Sequence, residues 1–231
     1  MNINPDAIVV WQIGPIGINA TIVFTWIVMA LLVLGSWAIT RRLTTGPELS
    51  RWQNLIEVLV AGMRDQIREV SQQEPGRFLP FVGTLFLFIA ASNLLSVVPG
   101  FRAPTGSLST TTALALAVFV AVPLFGIARE GLFRYLANYV RPSWLMLPFN
   151  VIGELSRTLA LAMRLYGNIM SGVMIAGILL SLAPFFFPIL MQLLGLVTGL
   201  IQAYIFAVLA MVYIASASSA RASRDSDKES A

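Results

Sequence analysis

Three charged side chains interrupt one otherwise apolar stretch of the 231-residue chain, and they are the first candidates for chemistry. Glu154, Arg157 and Arg164 lie within residues 153–172, which read GELSRTLALAMRLYGNIMSG. A charged side chain near the centre of a bilayer costs about 2.5 to 3.5 kcal/mol on insertion scales. A membrane helix is therefore not expected to keep three of them for packing alone, and the pattern predicts a polar face with a function.

Helical geometry gathers these charges into a polar stripe. At about 100° per residue, the three charges, Leu161 and Asn168 fall within an arc of about 80° on one helix face. A row of small residues runs beside the stripe and would let another helix or a moving surface approach closely. This row consists of Gly153, Ala160, Gly167 and Ser171. The sequence therefore predicts a helix that faces something polar or mobile.

The three charges do not neutralise one another completely. Glu154 and Arg157 are three residues apart and can pair along their helix, which lowers the cost of burying both. Mutual neutralisation without any further role is an open alternative for this pair. Arg164 has no acidic residue three or four positions away, and Glu154 is the only acidic residue in the apolar spans. We therefore expect Arg164 to meet a negative group on another chain, with snorkelling to an interface as the alternative.

A second polar face is predicted on the last helix. Its members project within about 60° of a common direction. They are Gln192, Gly195, Thr198, Gly199, Gln202, Ala210 and Tyr213. Ordinary packing between membrane helices explains such a face, but opposed to the Arg164 stripe it would enclose an aqueous path. Ser92, Asn93 and residues 110–112 lie near span ends, where capping or loop contacts are the expected roles.

Composition fixes the class of protein. The chain is 57% hydrophobic and 11% charged, which indicates a polytopic membrane protein. Its 231 residues leave room for about five crossings of about 20 residues each but not for a soluble catalytic domain. Because Cys and His are absent, disulfides, thiolate nucleophiles and nearly all zinc sites are excluded. There is no P-loop pattern, so we predict no ATP site, catalytic residue, cofactor or metal. The net charge is +4, and the basic residues are scattered over short loops. This distribution favours interaction with a membrane surface over binding of nucleic acid.

The predicted fold class is an all-α polytopic membrane protein with about five membrane helices, of which the last two are long and strongly tilted, plus one interfacial amphipathic helix. A solvated connecting helix is the alternative for the amphipathic segment. One membrane domain covers 1–231. Its predicted parts are an external N-terminus at 1–17, spans at 18–40, 78–98 and 108–128, an interfacial cytoplasmic segment at 44–77, a long helix with Arg164 at 143–181, a long last helix at 189–219 and a cytoplasmic tail at 220–231. Ser107 or Ser109 is the expected N-cap of the third span.

The distribution of Lys and Arg predicts the orientation. Residues 41–77 carry six, residues 129–142 carry three and the C-terminal tail carries three, whereas the opposite side carries only Arg102. The positive-inside rule then places the N-terminus outside and the C-terminus in the cytoplasm. Together with the expected absence of a cleaved leader, this orientation predicts a multi-pass protein of the bacterial plasma (inner) membrane.

Several motifs resemble one family. RLYGN at 164–168 is followed in the last helix by QAYIF at 202–206, and NLLSVVPG at 93–100 precedes APTGSLSTT at 103–111. With the two overlong final helices, these motifs resemble the a subunit in the membrane sector of F-type ATP synthases.

The resemblance implies a static subunit that forms proton-translocating half-channels beside a rotating ring of c subunits. It implies that Arg164 is the essential arginine and that Asn168 and Gln202 belong to the ion pathway, to which we add Glu154 and Arg157. The implied partners are the c-subunit ring, the b subunits of the peripheral stalk, the ATP-hydrolysing remainder of the complex and the lipid bilayer. The chain itself would be a non-catalytic ion-channel subunit.

Two positions depart from the family pattern. Many proton-translocating members carry a carboxylate where this chain has Val173, and a His or carboxylate where it has Gly195. The proton relay would then run through water, through Glu154 or through hydroxyls and amides, or else the ion is Na⁺. The Glu154 and Arg157 pair resembles a feature of the sodium-associated N-type branch. A secondary ion transporter is the remaining alternative, although such folds usually show paired repeats and helices broken at mid-membrane.

Overall fold

The computed structural model describes residues 9–13, 16–41, 51–71, 74–98, 100–133, 135, 146–182 and 187–219. In this part of the chain a short β-hairpin precedes six long α-helices. Their bounds are β1 Val9–Ile13, β2 Ile16–Asn19, α1 Ala20–Thr40, α2 Arg51–Ser71, α3 Leu79–Leu95, α4 Leu108–Glu130, α5 Met146–Leu182 and α6 Phe187–Ser219. Short 3₁₀ turns lie at Pro75–Arg77 and Pro104–Gly106.

The predicted all-α polytopic membrane fold is confirmed. Four helices, α1, α4, α5 and α6, are long and apolar enough to cross a membrane, and α3 is a shorter apolar helix of 17 residues. Strands are confined, in the part of the chain that the structure describes, to the antiparallel pair β1 and β2. This hairpin was not predicted, although β-branched residues, which favour strands, are frequent on both sides of Gly14 and Pro15.

Local sequence sets the ends of α4. Ser107, one of the two predicted N-caps, occupies the N-cap position in an extended conformation, and its hydroxyl lies 2.6 Å from that of Ser109. At the other end Gly131 has φ of 82°, a value that residues with a side chain rarely adopt. Its N–H donates to the carbonyl of Ile127 at 2.8 Å, which closes the last turn.

The amphipathic helix α2 packs its apolar side on the bundle. Ile67 is buried, whereas Arg64 and Arg68 are exposed. Met63 reaches Gly83 of α3, so that the methionine sulfur would lie 3.8 Å from a Cβ at this glycine. A cavity of about 220 Å³ remains between α2, α3 and α6, and its lining is almost entirely apolar. The interfacial position predicted for this helix is consistent with one charged side and one apolar side.

Helix α6 lies at the centre of the bundle, where α2, α3, α4 and α5 all pack against it. The largest fully buried apolar side chains come from α3, α4, α5 and α6, with one from α1: Val28, Ile89, Val118, Leu161, Leu165, Phe206, Met211 and Ile214. Helix α5 is very different, because only 6% of its apolar window is buried, against 33% for α6. The long helix that carries the charged stripe therefore presents most of its surface outward.

Candidate functional site

The charged stripe of α5 lies along the border between the buried and exposed sides of the helix. Arg157 and Arg164 are exposed, whereas Glu154 and Asn168 are partly buried. Leu161 falls in the same predicted arc, yet only 2% of its surface is exposed. The apolar core therefore reaches one edge of the stripe, and the two arginines are turned toward the open side.

Two side-chain contacts show how α5 and α6 run past each other. The Asn168 Nδ2 donates to the Thr198 carbonyl at 3.4 Å. The Arg157 guanidinium carbon lies 5.6 Å from the ring centroid of Tyr213, which is within the range of a cation–π interaction. Residue numbers fall along α5 as they rise along α6 between these contacts, so the two helices are antiparallel.

This register places Arg164 and Gln202 at the same level of the bundle. Arg164 precedes Asn168 by about one turn, and Gln202 follows Thr198 by about one turn, which is a displacement of about 6 Å in the same direction. The structure thus brings Arg164, Asn168 and Gln202, three residues of the predicted site, to neighbouring levels of two adjoining helices.

Arg164 has no polar partner in the part of the chain that the structure describes. Its side chain is exposed, and no hydrogen bond or ion pair reaches its guanidinium from the described residues. Ala160 and Gly167, about one turn away on the same side of α5, are also exposed. A permanent charge surrounded by apolar surface is costly in a bilayer. The guanidinium therefore requires water or an anionic group from outside these residues.

Inside the bundle, Gln202 also has a polar atom without a partner among the described residues. The residue is 6% exposed, and its Nε2 is buried without a hydrogen bond to any described residue. An unsatisfied buried donor costs about 1 to 3 kcal/mol, and such groups in proteins usually bind ordered water. An amide of this kind, at the level of an arginine that has no polar partner in the described part of the chain, is suited to holding water in a polar path.

The predicted pairing of Glu154 with Arg157 stays a prediction. The structure gives the Arg157 guanidinium a contact with the Tyr213 ring, and the Thr158 hydroxyl donates to the backbone carbonyl of Glu154 at 3.0 Å. Tyr213 belongs to the polar face predicted on the last helix. Its contact with Arg157 could not be anticipated, because it depends on the register of two helices.

Asn93 has a larger part in this region than the sequence indicated. It is 4% exposed, and its Nδ2 donates to the Gly199 carbonyl of α6 at 2.8 Å. The Thr105 hydroxyl donates to its Oδ1 at 3.4 Å. The expected loop contact of Asn93 corresponds to its bond with Thr105, whereas its bond with α6 was not expected. The sequence features that could have indicated the bond with α6 are an asparagine in an apolar span and a glycine on the polar face predicted for the last helix.

Similarity to known proteins shows which family the chain belongs to. A family model described as "ATP synthase A chain" matches residues 22–215. The chain belongs to this family. It is 61% identical to ATP synthase subunit a 2 of Acaryochloris marina (strain MBIC 11017), over 94% of this chain and 93% of the relative.

Other members of the ATP synthase A chain family are similar over nearly their whole length. Identity is 59% to ATP synthase subunit a 1 of Chlorobaculum parvum (strain DSM 263 / NCIMB 8327), over 96% of this chain and 98% of the relative. It is 58% to ATP synthase subunit a of Albidiferax ferrireducens (strain ATCC BAA-621 / DSM 15236 / T118), over 96% of both. The predicted resemblance to the a subunit of F-type ATP synthases is confirmed.

Val173 and Gly195, the two positions at which a departure from the family pattern is expected, lie in open surroundings. Val173 is 49% exposed, and a Cβ added at Gly195 would meet no atom within 4 Å. Neither residue can carry a proton. The polar groups of the predicted site that lie near Arg164 in register are instead the amides of Asn168 and Gln202. Among the described residues, no group of three or more His, Cys, Asp or Glu could hold a metal ion.

Proposed function

We propose that this chain is the stator subunit of a rotary ATP synthase and that it forms, against a ring of c subunits, two offset half-channels for protons. Membership of the ATP synthase A chain family supports this role. The observation that carries it is the exposed Arg164 guanidinium, which lacks a polar partner among the described residues, at the level of the buried Gln202 amide. The missing anion would be a ring carboxylate.

An arginine is suited to this task because it does not lose its proton at any working pH. When a ring carboxylate enters the field of Arg164, the positive charge favours the ionised carboxylate and promotes release of its proton toward one exit. After passing Arg164, the carboxylate meets the path from the other side and takes up a new proton. It then returns to the lipid in neutral form.

The same charge prevents a short circuit between the two paths. A cation that moved directly from one half-channel to the other would have to pass Arg164, and repulsion between like charges is strong in a medium of low dielectric constant. The direction of transport then follows from the geometry of the paths. The energy comes from the ion gradient or from ATP hydrolysis in another subunit.

The proton path would run through water held by polar side chains. Because Val173 and Gly195 cannot titrate, Gln202 and Asn168 are proposed to hold this water near Arg164, with Glu154 and Arg157 further along the α5 stripe. The absence of titratable groups at those two positions also suits Na⁺ as the transported ion. The sodium-dependent form of the same role is therefore the second candidate.

The exposed side of α5 is the proposed surface for the c-subunit ring. The b subunits of the peripheral stalk and the ATP-hydrolysing head would complete the assembly. In keeping with the positive-inside rule, we propose that the protein lies in the bacterial inner membrane with its N-terminus outside and its C-terminus in the cytoplasm. In that orientation Glu154 and Arg157 line the cytoplasmic half of the path.

Transport by vesicles tests this function. Vesicles that contain the whole complex should acidify on addition of ATP in sodium-free buffer, whereas vesicles with this chain alone should transport nothing because the ring carboxylates are missing. Ion movement by the chain alone would contradict the stator role and indicate a secondary transporter. Sodium uptake by the complex that survives a protonophore would instead identify Na⁺ as the ion.

A further inference from the structure

Helix α6 is held by an amide side chain on each of two sides at a single level. Asn168 of α5 donates to the carbonyl of Thr198 at 3.4 Å, and Asn93 of α3 donates to the next carbonyl, that of Gly199, at 2.8 Å. Successive carbonyls of a helix belong to residues about 100° apart around its axis. The two bonds therefore constrain the rotation of α6 as well as its height.

The contact with Asn93 is also a steric fit. A Cβ at position 199 would lie 2.8 Å from the Asn93 Cγ and 3.0 Å from its Nδ2, which is closer than non-bonded atoms approach. Only glycine lets the amide reach the α6 backbone here. The Asn93 side chain and Gly199 are therefore complementary in shape where α3 contacts α6.

A second connection orients the Asn93 amide. The Thr105 hydroxyl donates to Oδ1 at 3.4 Å, so Nδ2 is left to face Gly199. Thr105 is fully buried in the 3₁₀ turn Pro104–Gly106. This turn packs on α5, since a Cβ at Gly106 would lie 3.2 Å from the Ile169 Cγ2. One side chain therefore links α3 to α6 and, through the turn, to the helix that carries Arg164.

We propose that Asn93 is a positioning residue for ion translocation: its amide fixes the rotation of α6 so that the Gln202 side chain stays at the ion path beside Arg164. This inference rests on the proposed stator function. Gln202 is one turn along α6 from the two clamped carbonyls, and its own Nε2 is not bonded to any described residue. Its direction is therefore set by the backbone that Asn93 holds rather than by a bond of its own.

Two variants of Asn93 separate the hydrogen bond from the volume of the side chain. Asn93→Ala removes both, whereas Asn93→Asp keeps the volume but presents a carboxylate oxygen, which cannot donate to the Gly199 carbonyl. In the assembled complex we expect either variant to lower ATP-driven ion transport by about 10- to 100-fold, which is the size of effect that small misplacements of working groups produce. Thr105→Ser, which keeps the hydroxyl, is the conservative control and should transport normally.

Gly199→Ala should reproduce the loss, because the new methyl group displaces the Asn93 amide. In the double variant Asn93→Ala/Gly199→Ala, the methyl group enters the space that the amide left. The double variant should therefore transport no worse than Asn93→Ala alone. Such non-additivity is expected only for residues that act through one contact.

The rotation of α6 can be measured directly in the assembled complex. The chain has no cysteine, so spin labels can be attached at Leu94→Cys on α3 and Ile201→Cys on α6, both exposed at 57% and 52%. With Asn93→Ala, the distance between the labels should shift by up to about 3 Å for each 30° that α6 rotates, because side chains stand about 5 to 6 Å from a helix axis. A role in stability alone would lower the amount of assembled complex without moving this distance.

Lost transport together with a shifted distance is the expected result. Lost transport at an unchanged distance, a shifted distance with normal transport, or lower assembly with normal transport per complex would each overturn the positioning role. Arg164→Ala is measured in parallel. If that variant still couples transport to ATP, the proposed stator function fails whatever the labels on α3 and α6 report.

Discussion

At the scale of single residues, two buried amides in this bundle differ in their hydrogen bonding. Asn93 is buried and donates to a backbone carbonyl, whereas Gln202 is buried with an Nε2 that has no partner among the described residues. A satisfied amide stabilises a contact between helices. An unsatisfied one is stable only if water or a ligand reaches it. The same functional group therefore indicates packing at one position and the ion path at the other.

Glu154 is the residue for which the sequence offers two roles. If it takes part in the ion path, Glu154→Gln should lower ATP-driven transport by about 2- to 10-fold. This loss is well below the roughly 10²-fold or larger loss expected for a sole proton-transfer group, because water and amides would provide the rest of the path. The initial rate of vesicle acidification measures this effect, and normal assembly is the condition for comparison.

The matched control replaces both charges of the possible pair. If Glu154 and Arg157 only neutralise each other, the double variant Glu154→Leu/Arg157→Leu would transport at the wild-type rate. That outcome would remove both residues from the ion path. Arg157→Lys with Glu154 intact keeps the charge and tests whether the stacking of Arg157 on Tyr213 matters separately.

At the scale of elements, α5 and α6 differ in how much of their surface is packed against other helices. α6 is packed on several sides and clamped near its middle, whereas α5 leaves most of its apolar window exposed. The 37 residues of α5 correspond to about 55 Å, which exceeds the roughly 30 Å hydrocarbon core and is consistent with the predicted tilt. A fixed inner helix and an open outer helix suit a stationary wall beside a moving ring.

The end of α4 offers a test of packing between elements. Gly126 faces the ring of Tyr135, and a Cβ there would lie 2.5 Å from the ring Cε2. Gly126→Ala should therefore displace the buried tyrosine and destabilise the protein by about 1 to 3 kcal/mol, which is typical of overpacking. The thermal unfolding midpoint of the purified chain in detergent measures the loss.

Gly35 in α1 is the matched control, because a Cβ there would meet no atom within 4 Å. Gly35→Ala should be neutral or slightly stabilising, since alanine is favoured over glycine inside a helix by about 1 kcal/mol. Equal unfolding midpoints for the two variants would show that the Tyr135 side chain does not pack against Gly126 as the structure has it.

At the scale of the whole molecule, the sequence predicted the class of fold well. Apolar runs give the number of long helices, and helical periodicity gives the stripe that contains Arg164. Periodicity does not give the rotation of a helix against its neighbours. For this reason the burial of Leu161, the stacking of Arg157 on Tyr213 and the bond from Asn93 to Gly199 were not predicted.

The arrangement of the candidate site follows from the sequence only in part, for a similar reason. The RLYGN motif marks Arg164 and Asn168, and their order along α5 follows from the chain. That Gln202 lies at the level of Arg164 depends on the antiparallel register of α5 and α6, which the Asn168 and Thr198 contact defines. The N-terminal hairpin was missed because its β-branched residues flank a segment dominated by long apolar helices.

The most direct test of the central claim, that Arg164 acts on ring carboxylates, compares two fluxes in vesicles that contain the whole complex. For Arg164→Ala, we expect ATP-driven ion transport to fall by at least about 100-fold, while passive ion flux through the membrane sector persists or rises because the repelling charge is gone. Assembly with the ring, checked by copurification, should be unchanged. Normal ATP-driven transport by Arg164→Ala would contradict the claim.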